Sequence, residues 1–484
     1  MRLSDLTLLP FDGPDLDLTG LTQDSRKVQP GFLFIAIQGT KADGRTYVAE
    51  AIQKGAVALV LPANGAETFA YPPSLAVLKT AHIRRTLTDL ASAFYPKQPD
   101  TILAVTGTSG KTSTAEFARQ LAQACGHKAA SLGTLGLVTA QGTSYGSLTT
   151  PDPITLHQTL DLCAAQGISH LALEASSHGI EQHRLDHVRL KAACFTNLSR
   201  DHLDYHETMA GYFAAKMRLF TALLPSGAGA VLNADIEEYA PLAAIAHQRK
   251  LSLISYGTQG TELRLVDVQP HEQGQNLRIE AFGKKIDAFL PVRGGFQAWN
   301  ALGAAGLLIG AGAPIDSVFA AFPDLAGPPG RMQFIGLSKT GGAVFVDYAH
   351  KPDALENVLR AARDSLEKSG GRLGVVFGCG GNRDKGKRPI MGAIAAAQAD
   401  WALVTDDNPR FEDPATIRAE ILAGCVGQTQ VREIGDRAQA IAEGIQRLGA
   451  KDILIIAGKG HEQGQSVGDK TLPFDDSIEA QKNL

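Results

Sequence analysis

Thr106-Gly107-Thr108-Ser109-Gly110-Lys111-Thr112 follows the apolar run Ile102–Val105 and precedes a segment in which Phe117, Leu121 and Ala124 recur at helical spacing. A strand, a glycine-rich turn and a helix N-terminus in that order make a cradle for phosphate. Backbone N–H groups and the positive end of the helix dipole face the anion, Lys111 adds a point charge, and the Thr112 hydroxyl can ligate Mg²⁺. The spacing departs from G-x-x-x-x-G-K-[ST], because Val105 stands where the first glycine would fall. The flanking strand and helix distinguish the segment from a chance surface turn. The stretch predicts an α/β fold with a nucleotide-phosphate site at the carboxyl end of a strand.

Outward from this loop, the 484 residues suggest about three domains. The chain is 44% hydrophobic and 20% charged with a net charge of -4, so nothing in its composition points to a nucleic-acid partner, and a phosphate site must draw on local charge. The five cysteines are scattered and include no C-x-x-C pair, as in reduced cytosolic proteins. Met1-Arg2-Leu3-Ser4-Asp5 opens no apolar signal region, and no apolar run approaches the ~20 residues that span a bilayer. These features predict a cytoplasmic enzyme with no membrane partner.

Three blocks divide the chain. Residues 1–97 hold two short apolar strands, Phe32–Ile37 and Val57–Leu61, with a helical pattern from Tyr47 to Lys54 between them, and end in the polar, proline-bearing stretch Tyr95–Asp100. Residues 98–330 carry the phosphate loop and the runs Leu171–Leu173, Cys194–Thr196 and Ala230–Leu232, alternating with helical segments as in a parallel sheet wrapped by helices. Gly327-Pro328-Pro329-Gly330 closes this block. Residues 331–484 repeat the alternation with Ala343–Val346, Leu373–Phe377, Ala402–Thr405 and Ile453–Ala457. Polar, glycine-rich loops follow all four: Asp347-Tyr348-Ala349-His350, Gly378–Asp384, Asp406–Arg410 and Gly458–Glu462. Ligands of open α/β sheets bind outside the carboxyl ends of the strands, so these four loops predict one binding edge.

In the middle block, Glu174-Ala175-Ser176-Ser177-His178-Gly179 with Gln182-His183-Arg184, and Asn197 to His206, follow two further strands. Both fall on the edge that bears the phosphate loop. Glu174 is placed to ligate the Mg²⁺ that Thr112 touches, since hard cations take oxygen ligands. His202 and His206 have no cysteine partner nearby, which argues against zinc.

Together, T-G-T-S-G-K-T, E-A-S-S-H-G-I-E-Q-H-R, N-L-S-R-D-H-L-D-Y-H, D-Y-A-H-K-P-D, F-G-C-G-G-N-R-D-K-G-K-R-P, D-D-N-P-R and A-G-K-G-H-E closely resemble the motifs of the Mur ligases, ATP-dependent amide-forming enzymes. The resemblance runs from Asp24-Ser25-Arg26 to Glu462. It implies three domains: an N-terminal UDP-sugar-binding domain, a central P-loop-type parallel-sheet ATPase domain and a C-terminal Rossmann-like α/β domain that takes an amino acid. It further implies a monomer whose partners are small molecules: ATP, UDP-N-acetylmuramoyl-L-alanyl-D-glutamate and meso-diaminopimelate. An acyl phosphate would form on the D-glutamate γ-carboxylate and be attacked by the incoming amine.

The resemblance assigns residues as well. Gly107, Thr108, Ser109, Gly110, Lys111, Thr112 and Ser113 would bind ATP, joined by Asn300, Arg331, Asp347 and His350. Lys111, Glu174, His202 and Lys216 would be catalytic. Metal would rest on Thr112, Glu174, His202 and Lys216, the lysine as a carbamate formed with CO₂; without the resemblance Lys216 reads as an exposed helix lysine. Ser25, the Thr40-Lys41-Ala42 loop, Thr149, Thr150, Ser176, Gln182 and Arg184 would hold the UDP-linked substrate. Arg383, Asp407, Asn408, Pro409, Arg410, Gly458 and Glu462 would take diaminopimelate, the arginines offering forks to its distal carboxylate and the acids accepting from its ammonium. Relatives that add lysine generally lack the arginine of D-N-P-R, so Arg410 favours meso-diaminopimelate.

Ser109 and Gln297 stand where asparagine is common, and Thr40-Lys41 where histidine-glutamine is expected. The alternatives are lysine addition by the same reaction, a folate-glutamate-type ligase, a motor or transport ATPase, and a non-enzymatic binding protein.

Overall fold

Apolar runs flanked by glycine-rich turns become strands buried on both faces in this computed structural model. It describes all residues except 8, 40–42, 65–70, 145, 147, 272, 367–369 and 426–429, and omits the side chains of 204 and 364. The Thr40-Lys41-Ala42 loop thus lies outside the described residues.

The first block forms a five-stranded sheet in the order Phe11–Asp12, Ala76–Thr80, Ala56–Pro62, Phe32–Ile35, Gly20–Thr22. Only its first pairing is antiparallel. The helix Ile83–Phe94 buries Leu87, Leu90 and Ala91 on one face, and Val48–Gln53 buries Val48 and Ala51 on the other.

An eleven-stranded sheet organises the middle block. Its central strands run parallel in the order Leu263–His271, Ser252–Gly257, Gly229–Asn233, Leu190–Phe195, Thr101–Thr106, His170–Glu174, Ala129–Gly133. The parallel expectation holds there, but both edges are extended by antiparallel strands. Gly274–Ala281 and Lys284–Leu290 continue one edge, and Gly136–Thr139 and Gly142–Ser144 the other. Tight turns join these strands, so no crossover helix announces them. The helix Lys111–Ala124 packs Phe117, Ala118, Leu121 and Ala122 into a core shared with Ala298, Leu302 and Ala305 of the helix Phe296–Gly310. Ala124, the last helical residue, is exposed rather than part of that face.

The third block is a six-stranded sheet in the order Gln333–Leu337, Ala343–Asp347, Ile453–Ala457, Leu373–Phe377, Trp401–Val404, Gln430–Glu433, parallel except at the first pairing. Helices Pro352–Leu366, Lys387–Gln398 and Pro414–Leu422 cover one face; Arg437–Gln446 and Asp476–Gln481 cover the other. Among the described residues no helix is long and apolar enough to cross a membrane.

Candidate active site

Three adjacent parallel strands of the middle sheet, Leu190–Phe195, Thr101–Thr106 and His170–Glu174, end together. Their loops and the strand ends of the third sheet enclose a cavity of about 890 Å³. It is lined by Thr108–Ser113, Thr149, Glu174, Ser176, His202, Lys216, Asn300, Arg331, Asp347 and His350 from the expected set, with Thr134, Arg200, Asp201, Tyr348 and Lys351 in addition. Ser25, Gln182, Arg184 and the residues expected to hold diaminopimelate lie outside this lining.

The phosphate loop requires its glycines. Gly107 has φ 141° and Gly110 φ 83°, and a Cβ on either would strike Thr196 Oγ1 or Asn300 Oδ1. Asn197 pins the turn, accepting from Ser109 N at 2.9 Å through Oδ1 and from Thr108 N at 2.9 Å through its carbonyl. Gln297, wholly buried, accepts from Asn300 Nδ2 at 2.9 Å, so the departure from asparagine keeps a polar support behind the loop. Lys111 folds back to donate to Gly107 O at 2.9 Å and Thr108 O at 2.8 Å. Burial, partly offset by Glu174, pushes its ammonium down to about 8.

Glu174 gathers oxygen and N–H groups. It accepts from Thr112 Oγ1 at 2.9 Å, Thr134 N at 2.8 Å and Thr134 Oγ1 at 3.2 Å. Arg331 Nη2 reaches Thr112 Oγ1 at 3.3 Å. Among the described residues no group of three His, Cys, Asp or Glu could hold a metal by itself. A carboxylate beside hydroxyls suits Mg²⁺, which is usually bound by one or two carboxylates together with substrate phosphates. The donor set fits that ion.

Lys216 is buried, contrary to an exposed helix lysine. Its Nζ donates to Gly107 O at 2.7 Å and sits 4.4 Å from the centre of the Tyr212 ring. Burial, reinforced by Lys111, holds its amine well below the usual lysine range. His202 Nε2 lies 3.3 Å from Asp201 Oδ2, and burial lowers its imidazole to about 4. Asp201 also takes Lys351 Nζ at 2.6 Å from the third block. Burial alone would raise the Asp201 carboxyl; Lys351 holds it below the carboxylate range.

From the third sheet, Asp347 accepts from Met332 N at 2.7 Å and Ala349 N at 2.8 Å, while burial raises its carboxyl. His350 Nδ1 sits 2.8 Å from Tyr348 O, and burial lowers its ring to about 3.

Among the residues expected to hold the UDP-linked substrate, Thr149 Oγ1 meets Thr134 Oγ1 at 3.1 Å, and Thr150 bridges Glu174 O and Ser176 N. Arg184 donates to Thr150 O at 2.6 Å and to Gln182 Oε1 at 2.8 Å. The Ser25 hydroxyl is instead occupied by Glu50 Oε2 at 2.8 Å.

The other expected set clusters at neighbouring strand ends of the third sheet. Arg410 and Arg383 flank Gly380, where a Cβ would meet Arg410 Nη1 at 2.7 Å and Arg383 Cγ at 3.8 Å. Arg410 Nη1 donates to Gly381 O at 3.0 Å, and its backbone pairs with Ser466 of the hairpin Gly464–Val467/Lys470–Pro473. A Cβ on Gly458 would meet Asp407 Oδ2 at 2.7 Å, so those two loops touch; Pro409, between Asn408 and Arg410, is buried. Glu462 is already engaged: Oε2 accepts from Asn408 Nδ2 at 2.8 Å and from the wholly buried Lys459 at 3.2 Å. Lys459 and Lys351 fall inside the recognised motifs without an assigned role; the burial of Lys459 and the charged partners of both mark them.

The Mur ligase middle domain matches residues 105–308, the glutamate ligase domain of Mur ligases 330–460, and the catalytic domain of the Mur ligase family 17–95. The UDP-N-acetylmuramoyl-L-alanyl-D-glutamate--2,6-diaminopimelate ligase of Mesorhizobium japonicum is 49% identical over 100% of this chain and 99% of its own length. That of Bradyrhizobium diazoefficiens is 50% identical over 95% and 93%. A solved structure of an enzyme of that name aligns with a TM-score of 0.69 at 32% identity, covering 96% of this chain and 94% of the other. Similar to these relatives along its whole length, the chain belongs to the Mur ligase family.

Proposed function

We propose that this protein is the ATP-dependent ligase that joins meso-2,6-diaminopimelate to the D-glutamate γ-carboxylate of UDP-N-acetylmuramoyl-L-alanyl-D-glutamate, in the synthesis of peptidoglycan precursor. The observation that carries this reading is the cavity in which Lys111, Glu174, Asp201, Lys216 and Arg331 converge between two sheets. It is supported by relatives of that name at about half identity over the full length. We assign residues 1–97 to the UDP-linked substrate, 98–330 to ATP and 331–484 to the amino acid. The protein works in the cytoplasm as a monomer, with no nucleic-acid or membrane partner.

A γ-carboxylate oxygen attacks the γ-phosphorus of ATP, and ADP leaves. The diaminopimelate amine then attacks the acyl carbonyl, phosphate leaves, and a proton is lost. Two anions must meet in the first step, so cations decide the rate. Lys111 swings from its backbone carbonyls to the β/γ-phosphates, and Arg331 adds a second charge. Thr112 and Glu174 would hold one Mg²⁺, and His202 with the Lys216 carbamate a second, and the ions would supply positive charge to phosphate and carboxylate oxygens. Lys216 is suited to carbamate formation because burial favours its neutral amine, the form that adds CO₂. Thr149, Thr150, Ser176 and Arg184 orient the glutamyl end beside Glu174, and Ser25 and Gln182 hold the nucleotide-sugar part. Asn300, Asp347 and His350 hold ATP, and burial behind them excludes water from the acyl phosphate. Arg383, Asp407, Asn408, Arg410, Gly458 and Glu462 receive diaminopimelate.

Phosphate release from ATP, Mg²⁺ and UDP-muramoyl dipeptide, measured with diaminopimelate, lysine and glutamate in turn, tests the reading. Release that needs both the dipeptide and diaminopimelate is expected. Equal release without any amino acid would point to a plain ATPase and defeat it.

A further inference from the structure

Two arginines from different blocks meet at one carboxamide oxygen. Arg184 Nη2 donates to Gln182 Oε1 at 2.8 Å, and Arg84 Nη1 lies 3.5 Å from the same atom. Arg84 stands on the helix Ile83–Phe94 of the first sheet, where its Nη2 also donates to Gln38 O at 3.1 Å. Thr88 of that helix donates to His183 O at 2.8 Å, which fixes the helix against the segment bearing Gln182 and Arg184.

Among the described residues neither arginine has a carboxylate within ion-pair distance, whereas Arg218, which donates to Ile180 O and to His183 Nδ1 of the same segment, pairs with Asp186. Burial lowers the Arg184 guanidinium, and Arg84 adds like-charge repulsion; Asp152 opposes this while capping its own helix through Ile154 N and Thr155 N. Two half-buried cations facing one neutral oxygen are an unfavourable arrangement unless an anion completes it. The arrangement adjoins the reaction cavity, because Arg184 Nη1 holds Thr150 O and Thr150 Oγ1 holds Glu174 O.

We propose that Arg84 binds the substrate from the first block, forming with Arg184 a two-arginine site for an anionic group of the UDP-linked molecule. This rests on the proposed function. Two groups of that substrate have the required chemistry, the diphosphate and the α-carboxylate of D-glutamate. Arg84 thereby makes the first block a sensor of the acidic ligand as well as a holder of uridine.

Equilibrium binding of UDP-N-acetylmuramoyl-L-alanyl-D-glutamate and of UDP-N-acetylmuramoyl-L-alanine to the wild-type protein, Arg84→Gln and Arg84→Lys tests this, with KM for ATP and diaminopimelate measured alongside. Arg84→Gln should weaken binding of the dipeptide roughly tenfold or more, as loss of a charge-assisted contact does, and flatten its salt dependence. Arg84→Lys should recover part of the loss because it keeps the charge. KM for ATP should stay within about twofold, since the phosphate loop is untouched. Equal weakening of both ligands assigns the diphosphate; weakening of the dipeptide alone assigns the α-carboxylate. Unchanged binding by Arg84→Gln overturns the proposal while wild-type turnover upholds the function. So does equal loss in Arg84→Gln and Arg84→Lys with a raised KM for ATP, the signature of a residue that only staples the two blocks. A wild-type protein that binds neither nucleotide overturns both readings.

Discussion

Lys351 Nζ stands 2.6 Å from Asp201 Oδ2, and the two residues lie in loops that follow strands of different sheets. Lys351 immediately precedes the helix Pro352–Leu366 that follows the strand Ala343–Asp347, whereas Asp201 follows Leu190–Phe195. The contact closes the cavity over the phosphate loop and holds Asp201 against His202.

Lys351→Ala should therefore loosen the seam without unfolding either sheet. Lys351 is about one-third exposed, so the pair contributes roughly 1 kcal/mol, or about fivefold in apparent ATP affinity. Raising the salt concentration should shrink the difference between wild type and variant. Identical ATP affinity at low salt would remove the pair from the closing of the site.

Lys111 should tie nucleotide binding to protons. Its ammonium is lowered to about 8 from 10.5, so below pH 8 both folded and unfolded chains carry the charge and burial costs the folded state in full. Between about 8 and 10.5 the unfolded chain holds a proton that the folded chain has released, and this group makes stability rise with pH. Phosphate restores the charge, so ATP binding at pH 9 should take up a proton, and affinity should fall by up to roughly tenfold per unit above pH 8. Calorimetry in two buffers of different ionisation enthalpy measures the uptake. Lys111→Ala should abolish it and lower turnover by several orders of magnitude with the fold intact. Absence of uptake in the wild type would show that Lys111 does not meet the phosphates.

Lys216→Ala should be nearly inactive, and added formate or acetate should restore part of the rate by supplying the lost carboxylate oxygen. Lys216→Arg should be inactive too, since arginine cannot form the carbamate. A normal rate in Lys216→Arg would leave Lys216 only its hydrogen bond to Gly107 O.

Arg410→Ala should strand the distal carboxylate of diaminopimelate. Breaking such a buried pair costs about 3–5 kcal/mol, on the order of 10²–10³-fold or more in kcat/KM. The preference over lysine should narrow while KM for ATP stays nearly constant. Side-by-side kinetics with both amino acids decide the matter, and an unchanged preference in Arg410→Ala would withdraw Arg410 from specificity.

The core of each sheet was legible because parallel strands buried on both faces are unbroken apolar runs, as in Ile453–Ala457. The antiparallel extension from Gly274 to Leu290 was not, since strands with one wet face mix polar with apolar residues and their turns carry no helix. Loop residues such as Lys111, Glu174 and Asp407 could be placed by the strands before them. Side-chain partnerships between distant segments could not. Thr134 beside Glu174, Lys459 beneath Glu462 and Glu50 on the Ser25 hydroxyl are consequences of packing that no local pattern encodes. The burial of Lys216 is of the same kind: its helix begins like any amphipathic surface helix and is covered by the phosphate loop, more than a hundred residues earlier in the chain.

Because Lys351 and Arg331 cross between the two sheets that wall the cavity, ligand binding and domain closure are one equilibrium seen from two ends. A molecule that touches both walls draws them together with the same free energy by which their approach tightens its own grip. A substitution at the seam is thus a binding mutation acting at a distance, and a tight ligand is a clamp on the architecture. Heated with its ligands, the molecule should melt these two sheets in a single cooperative step at a higher temperature, whatever their separate behaviour without them.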